Sequence, residues 1–253
     1  MIIKALTTLA ETFPRTILKD KLAQVRKFYP VLIASIILSS IFSLFFISAF
    51  ASGDGTSSNP YQINNWTDLN STRDNLTASY ILMNNLSSSD SDYLGIGDSW
   101  QPIGNATAFS GNFNGSNHII SDLIINLPSN NVGLFGNFSG TIYNIGLINV
   151  NITGNNNVGS LVGFSSGTIS NCYSNGTVTG SNFIGGLVGN LTGGISNSYS
   201  LTNVYGLNYI GGLIGYFTGT VTNSYSTGKV IYNSASPPAA TLILSGLGYG
   251  SIS

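Results

Sequence analysis

The sequence predicts an all-β fold, a parallel β-helix (β-solenoid) of about 26-residue coils, on two observations. A glycine-rich block returns four times, and its first glycine falls at Gly133, Gly159, Gly185 and Gly211, at a constant interval. A fixed period of this length is typical of repeat architectures. In addition, residues 123–228 contain no Asp, Glu, Lys, Arg or His. Acid–base catalysis, metal binding and phosphate clamping rely on those side chains, so the pattern favours a structural or binding surface over an enzyme.

Each repeat offers three short strands: one around the Gly-Leu-Val-Gly block, one ending in Tyr-Ser, and one around a later valine. The density of glycine and the lack of a 3.6-residue period exclude helices. We therefore expect a coil with three sheets that advances by about 4.8 Å per turn. The glycines are expected to allow tight corners and positive φ. Aliphatic ladders should fill the interior, one of them formed by Leu134, Leu161, Leu187 and Leu213.

Other residues recur at matching positions, and each set predicts a ladder along the solenoid. The sets are Ile142, Ile169, Ile195 and Val221; Val150, Val178, Val204 and Val230; and Asn171, Asn197 and Asn223, with Asn144 one residue out of step. Aligned asparagines can hydrogen-bond from one coil to the next.

A tyrosine set, Tyr173, Tyr199 and Tyr225, follows the asparagines and is the candidate binding face. Exposed tyrosine, asparagine, serine and threonine can stack on sugars or hydrogen-bond to them. The alternative is that these tyrosines fill the interior or brace a corner. Ice binding by the aligned residues Thr141, Thr168 and Thr220 is disfavoured, because Gly194 interrupts their row.

The N-terminus predicts export of the main body. Residues 1–30 carry a net charge of +4, and residues 31–51 have no charged residue and are rich in Ile, Leu and Phe. About 20 apolar residues span a bilayer, and the basic flank stays cytoplasmic. Residues 31–51 are thus either a transmembrane signal-anchor or a signal peptide, since Ala49-Phe50-Ala51 also resembles a cleavage site. The body is then at the cell surface or secreted.

Residues 52–123 lack the period and are predicted to cap the solenoid of residues 124–253. We expect strands over Pro60–Ile63 and Tyr80–Met83, a short helix from Asn65 or Thr67 to about Leu76, and an apolar return over His118–Ile125. After Val230, an insertion with Pro237-Pro238 precedes a shortened fifth block at 246–253. This ending favours a fragment of a longer protein.

The sequence contains ten Asn-x-Ser/Thr sequons, which export would place where glycosylation enzymes can act. A random sequence with this content of asparagine, serine and threonine would contain nearly as many sequons. The candidate glycosylation sites are Asn65, Asn70, Asn75, Asn85, Asn105, Asn114, Asn137, Asn151, Asn175 and Asn190.

Few residues are candidates for other chemistry. Asp90, Asp92 and Asp98 could bind Ca²⁺, but a solvated acidic loop fits better because their spacing is not that of an EF-hand. His118 is interpreted as a turn residue, and the single cysteine, Cys172, as a small residue in a tolerant position. We predict no catalytic residue, no metal or other cofactor, and, without a basic patch, no nucleic-acid partner.

The ordered motifs resemble the GLUG-motif repeats of archaeal and bacterial surface proteins. They are the Gly-Leu-x-Gly blocks, the run at Gly167–Ser174, and the lead-in segments Asn59–Ile63 and Trp100–Gly104. The resemblance covers residues 53–233 and implies a right-handed parallel β-helix on an extracellular, often adhesin-like, protein. It implies no ligand and supplies no catalytic residues.

Together these patterns predict a non-enzymatic surface or secreted protein, membrane-associated through residues 31–51. Its role would be adhesion, binding of an extracellular glycan or protein, or envelope structure. The alternative is a carbohydrate-active β-helix enzyme whose catalytic part lies outside this chain. An active site here would need Arg73, Asp98 and Asp122 to converge at the cap.

Overall fold

The computed structural model describes residues 50–233. The basic tail, nearly all of the predicted membrane segment and residues 234–253 lie outside that range. Within residues 50–233, no helix is long and apolar enough to cross a membrane. The anchor or signal segment, the domain boundaries and the handedness of the coil therefore stay predictions.

The described part contains 22 short strands, one α-helix and one 3₁₀ helix. The strands are β1 (Tyr61–Ile63), β2 (Ser79–Leu82), β3 (Asn112–Asn114), β4 (Ile119–Ser121), β5 (Ile124–Asn126), β6 (Phe135–Phe138), β7 (Thr141–Tyr143), β8 (Gly146–Thr153), β9 (Asn156–Val158), β10 (Val162–Ser165), β11 (Thr168–Ser170), β12 (Tyr173–Thr179), β13 (Asn182–Gly185), β14 (Val188–Leu191), β15 (Gly194–Ser196), β16 (Tyr199–Ser200), β17 (Asn203–Gly206), β18 (Asn208–Gly211), β19 (Ile214–Phe217), β20 (Thr220–Thr222), β21 (Tyr225–Ser226) and β22 (Val230–Tyr232). The helices are α1 (Trp66–Ser71) and the 3₁₀ turn Thr72–Asp74.

These strands form a parallel β-solenoid of about five turns, as the period predicts. Sheet 1 stacks β1, β2, β3, β7, β11, β15 and β20, and sheet 2 stacks β6, β10, β14 and β19. Sheet 3 contains β4, β5, β8, β12, β16, β17, β21 and β22, and sheet 4 contains β9, β13 and β18. One coil, β9 to β12, passes through sheets 4, 2, 1 and 3 in turn.

The prediction of three sheets is wrong, and the structure has four. Two expected strands are each divided by a corner, and the Tyr-Ser end of one joins the later valine in sheet 3, as in β12. The segment ending in Tyr-Ser turns at Asn171, whose φ of 53° lies in the left-handed region. That turn separates β11 from β12. The Gly-Leu-Val-Gly block likewise spans the corner between β9 and β10. Asparagine adopts the left-handed region more readily than most residues, which explains its place at the corner.

The aliphatic interior is confirmed. Leu134, Leu161 and Leu187 are fully buried and Leu213 is 7% exposed. Leu161 N–H donates to the Leu187 carbonyl and Leu187 N–H to the Leu213 carbonyl, so the leucines lie in register. The predicted ladder of Ile142, Ile169, Ile195 and Val221 is also in register.

The predicted valine ladder is wrong at its first member. Val178 pairs with Ile152, and Val150 pairs with Gly176 instead. Val150 lies 28 residues before Val178, whereas Ile152 lies one 26-residue period before it. A β-bulge between Ser174 and Gly176, where β8 has one more residue than β12, brings Ile152 opposite Val178. The remaining members, Val204 and Val230, follow Val178 in register.

The cap residues extend the solenoid with irregular coils, since β1, β2 and β3 continue sheet 1 directly. Helix α1 begins at its N-cap Asn65, whose Oδ1 accepts from Asp68 N–H at 2.8 Å. It ends at Ser71, earlier than predicted, and continues as the 3₁₀ turn. Trp66 is buried against Tyr93 and Trp100, so α1 packs its apolar side on the first coil.

The block glycines allow close packing between coils, but none of them has a positive φ, contrary to the prediction. The described positive-φ glycines, Gly53, Gly55, Gly95, Gly104 and Gly176, all lie outside the blocks. A Cβ on Gly189 would instead lie 2.5–2.6 Å from backbone atoms of Asn157, Val158 and Gly163 in the preceding coil. Asparagines at the corners carry the left-handed φ: Asn131, Asn144, Asn157, Asn171, Asn197 and Asn223.

Candidate functional site

The predicted tyrosine face is a continuous stack on the outside of sheet 3. Tyr173, Tyr199 and Tyr225 are in register on β12, β16 and β21. Their ring planes are 7° apart in each pair, with centroids separated by 5.1 and 5.2 Å. Along this tyrosine ladder, Tyr173 and Tyr199 are half-buried and Tyr225 is 45% exposed. A Cβ on Gly146, one coil before Tyr173, would clash with the Tyr173 ring, so that glycine makes room for the ladder.

The stacking decides which groups of the tyrosine ladder can meet a ligand. The inner faces of the rings contact each other, so edges and hydroxyl groups remain for solvent. Burial, with smaller effects of Tyr173 and Tyr225, raises the pKa of Tyr199. The hydroxyl therefore stays protonated at neutral pH and can donate as well as accept hydrogen bonds.

Asparagine ladders run along two corners. At the corner between sheets 1 and 3, Asn171 Nδ2 donates to Asn144 Oδ1 at 3.0 Å, and Asn223 to Asn197 at 3.3 Å. These pairs belong to the predicted set. A second ladder was missed, although its members share the repeat period: Asn130, Asn156, Asn182 and Asn208 are linked by amide hydrogen bonds of 2.9, 2.6 and 2.7 Å.

An aromatic cluster that the sequence reasoning missed lies where sheet 4 meets sheet 2. We call Phe183, Tyr209 and Tyr216 the aromatic corner. Phe183 and Tyr209 stack at 4.9 Å, and Tyr216 lies 5.4 and 5.8 Å from them at steep angles of 63° and 83°. Tyr209 is 42% and Tyr216 is 36% exposed. Both Phe183 and Tyr209 have left-handed backbones, with φ of 59° and 50°.

The acidic side chains of the loop contact separate partners. Asp90 accepts from Ser87 N–H, Asp92 from Thr67, and Asp98 from Gly95 N–H at 2.6 Å. Each carboxylate thus binds a different local donor. Across residues 50–233, no group of three or more His, Cys, Asp or Glu side chains is placed to hold a metal ion.

The ionisable residues of the cap contact separate partners. Asp122 accepts from Asn149 Nδ2 and Ser88 Oγ, both at 2.7 Å, and the hydrogen bond from Asn149 is the main cause of its lowered pKa. The Arg73 guanidinium lies 4.1 Å from the Trp100 ring centre and donates to the Gln101 carbonyl. Burial lowers its pKa to about 10. Asp122 and Arg73 are thus each held by contacts with neighbouring side chains and backbone.

His118 and Cys172 have equally local environments. His118 Nδ1 lies 3.2 Å from Asn85 Oδ1. The Cys172 thiol is buried and donates to the Ser170 carbonyl at 3.1 Å. Burial raises its pKa to about 12, so the reactive thiolate is scarce at neutral pH.

The ten sequons differ in the exposure of their asparagines. Asn137 Nδ2 donates to the Asn105 carbonyl and Asn190 Nδ2 to Asn157 Oδ1, while Asn65 caps α1 and Asn114 is half-buried in β3. The exposed asparagines are Asn70, Asn75, Asn85, Asn105, Asn151 and Asn175.

The chain carries GLUG-motif repeats. The model of the GLUG motif matches residues 154–179 and 206–231, two segments of equal length that begin at the same point of the coil. The matched segments contain β9 to β12 and β18 to β21, and they confirm the resemblance found in the sequence.

Two relatives share parts of the sequence. Halomucin of Haloquadratum walsbyi is 40% identical over 128 residues, which are 46% of this chain and 1% of halomucin. A candidate glycine-rich membrane protein of Evansella cellulosilytica is 38% identical over 92 residues, 35% of this chain and 11% of that protein. The chain therefore spans a small part of the relatives that it matches.

The fold has a counterpart among solved structures. A candidate immunoglobulin A1 protease from Bacteroides ovatus superposes with a TM-score of 0.59 and 19% sequence identity, covering 78% of this chain and 86% of that one. At this identity the likeness concerns the fold alone.

Proposed function

We propose that this GLUG-repeat β-solenoid is an exported, non-enzymatic surface module that binds a neutral glycan or protein through its outer wall. The observation that carries the proposal is the charge-free run of residues 123–228, which forms β5 to β21 with the tyrosine ladder on its surface. Hydroxyl and amide groups dominate that wall. They form hydrogen bonds with uncharged partners, and no ion pair is needed.

The local partners of the ionisable residues support a non-enzymatic role. Glycoside cleavage uses a pair of carboxylates on either side of the scissile bond. Asp98 and Asp122 are each engaged with other donors, and Arg73 packs on Trp100. The solenoid would then act as an adhesive or spacing element of the envelope.

Glycosylation belongs to this proposal, because export exposes the sequons to the modifying enzymes. A glycan on Asn137 or Asn190 would break the hydrogen bond that the side-chain amide donates, to the Asn105 carbonyl or to Asn157 Oδ1. The six exposed asparagines have room for a glycan. We expect glycopeptide mass spectrometry of the native protein to find glycans on exposed sequons first. Glycans on Asn137 and Asn190, with none on the exposed sequons, would contradict this expectation.

A binding assay tests the function itself. The purified full chain is incubated with a panel of neutral and acidic polysaccharides and with intact cells, and both retention and released oligosaccharides are measured. Retention without cleavage supports the proposal. Release of oligosaccharides would show the enzyme instead, and failure to bind any polysaccharide or cell would refute the binding role.

A further inference from the structure

We propose that the aromatic corner of Phe183, Tyr209 and Tyr216 is a second binding site, separate from the tyrosine ladder, for a neutral glycan. Backbone conformation, ring arrangement and the polarity of the surroundings support this site. The site does not require that the tyrosine ladder also bind a ligand.

The backbone at the corner is unfavourable for the residues that occupy it. Register pairs Asn182 with Asn156 and Asn208, and Ile184 with Val158 and Ile210, so position 183 follows position 157 and precedes position 209. The earlier coils place Asn131 and Asn157 at this left-handed corner, and Asn157 Nδ2 donates to Asn131 Oδ1 at 2.7 Å. Asparagine tolerates this conformation, but for a bulky side chain it is an outlier.

Later coils thus replace a well-suited asparagine with two aromatic residues that hold the same strained corner. Strain of this kind persists where the surrounding structure enforces it, and it clusters at binding sites. The close packing of the corner is unchanged, since a Cβ on Gly215 would clash with the backbone of Phe183 and Ile184. The aromatic side chains are therefore not needed to form the turn.

The three rings do not form a single stack. Phe183 and Tyr209 stack on one side, and Tyr216 extends from β19 at a steep angle to both. Because Tyr216 is not stacked on another ring, and both tyrosines are more than a third exposed, apolar ring surface remains for a ligand. In the tyrosine ladder, by contrast, Tyr199 is stacked against a ring on both of its faces.

The surroundings favour an uncharged ligand rimmed with hydroxyl groups. Asn190 precedes Tyr216 in register, and its side chain is half-buried. Asn208 adjoins Tyr209 in the chain, and the coils that form the corner contain no charged side chain. A charged ligand would lose hydration here without compensation. Three rings are also far smaller than the roughly 800 Å² per partner of a typical protein interface. A pyranose, apolar on its face and polar at its rim, fits these features.

Matched variants of the full chain test the site. Phe183→Asn with Tyr209→Asn restores the residue type of the earlier coils and removes two rings, and Tyr216→Ala removes the third. Leu94→Ala, which removes an exposed apolar side chain of the cap, is the control, and Tyr199→Phe reports on the tyrosine ladder. Binding of cello-, manno- and chito-hexaose and of a sulfated oligosaccharide is measured by calorimetry, with thermal unfolding and sedimentation of each variant.

We expect at least one neutral hexaose to bind, and corner variants to weaken it about tenfold or more while Leu94→Ala leaves it unchanged. Thermal unfolding of the double variant should not occur at a lower temperature, because asparagine suits the corner. Three outcomes would overturn the site. Wild type and corner variants could bind equally well, the protein could prefer the sulfated sugar, or it could bind no hexaose. A Tyr199→Phe effect alone would overturn the site, leave the proposed function intact and place the ligand on the tyrosine ladder. A change only in oligomeric state would show a self-association surface and also overturn it.

Discussion

Leu161 and Leu187 lie one coil apart, both fully buried, and Leu161 N–H donates to the Leu187 carbonyl at 3.0 Å. The same relation links Leu187 to Leu213, so the leucines form one continuous ladder on the solenoid axis. The backbone bonds set the register, and the apolar side chains fill the space that the register leaves.

Leu187→Asp should prevent folding, because the substitution buries an unpaired charge in this ladder. Leu187→Ala should leave the fold intact but destabilise it by about 2–5 kcal/mol, since it opens a cavity. Thermal and denaturant unfolding measure both effects. The matched control is Thr168→Asp on the exposed side of β11, which should unfold almost as wild type does. Cooperative unfolding of Leu187→Asp at the wild-type midpoint would refute the interior position of Leu187.

Gly189 and Gly194 should respond in opposite ways to a larger side chain. Gly189→Ala should destabilise the protein, because its Cβ would meet the backbone of Asn157 and Val158 at 2.5 Å. Gly194 lies in β15 between Thr168 and Thr220, and only Thr220 Oγ1, at 3.2 Å, is near its Cβ position. Gly194→Thr should therefore stabilise the strand by about 0.5–1 kcal/mol. Denaturant unfolding of the pair measures the contrast, and destabilisation of equal size would contradict it.

Asn171 should tolerate glycine better than alanine. Its φ of 53° is left-handed, and the corner it forms separates β11 from β12. Asn171→Ala should cost about 1–2 kcal/mol from backbone strain. Asn171→Gly removes the same hydrogen bond to Asn144 without that strain, and so isolates the backbone effect. If both variants unfold at the same denaturant concentration, the left-handed corner is not the reason for asparagine here.

Cys172→Ser should change the free energy of unfolding by about 1 kcal/mol or less. The neighbouring coils place Ser198 and Ser224 at this position, and each donates its hydroxyl to the carbonyl two residues earlier, as the thiol does. The folded wild type should also resist alkylation at neutral pH, since burial raises the thiol pKa to about 12. Rapid labelling of the native protein by iodoacetamide would contradict this environment.

Asp122 should contribute stability that is lost in acid. The hydrogen bond from Asn149, followed by those from Ser88 and Ser121, lowers its pKa in the folded state. Its contribution is therefore present above the unfolded pKa, about 3.9, and disappears as the pH falls through the folded value. Asp122→Asn should be less stable than wild type at pH 7, and the difference should shrink below about pH 4. Asp74→Asn, at an exposed position, is the control. A difference independent of pH would contradict the role of the charge.

The solenoid, the interior leucines and the tyrosine register could be predicted from the sequence, because each depends on the constant spacing of the repeats. The fourth sheet could not, because it depends on where corners divide the strands. The partner of Val178 could have been found, since Ile152 lies one 26-residue period before it. The bulge beside Gly176 could not, because it shifts the pairing within one coil without changing the period. The Asn130–Asn208 ladder could have been found from the period. The aromatic corner could not, because Phe183 and Tyr209 occupy a conformation that their residue types disfavour.

Deleting one whole coil tests the stacked-coil account most directly. Removal of residues 158–183 takes out one full repeat and joins Asn157 to Ile184, which the register already aligns with Val158. The full chain with this deletion should keep a β-rich circular-dichroism spectrum and unfold cooperatively, because each coil contacts only its neighbours. Removal of residues 158–182 leaves one extra residue, reverses the side-chain alternation and should not fold. Equal failure of the two deletions, or equal tolerance of both, would contradict the account.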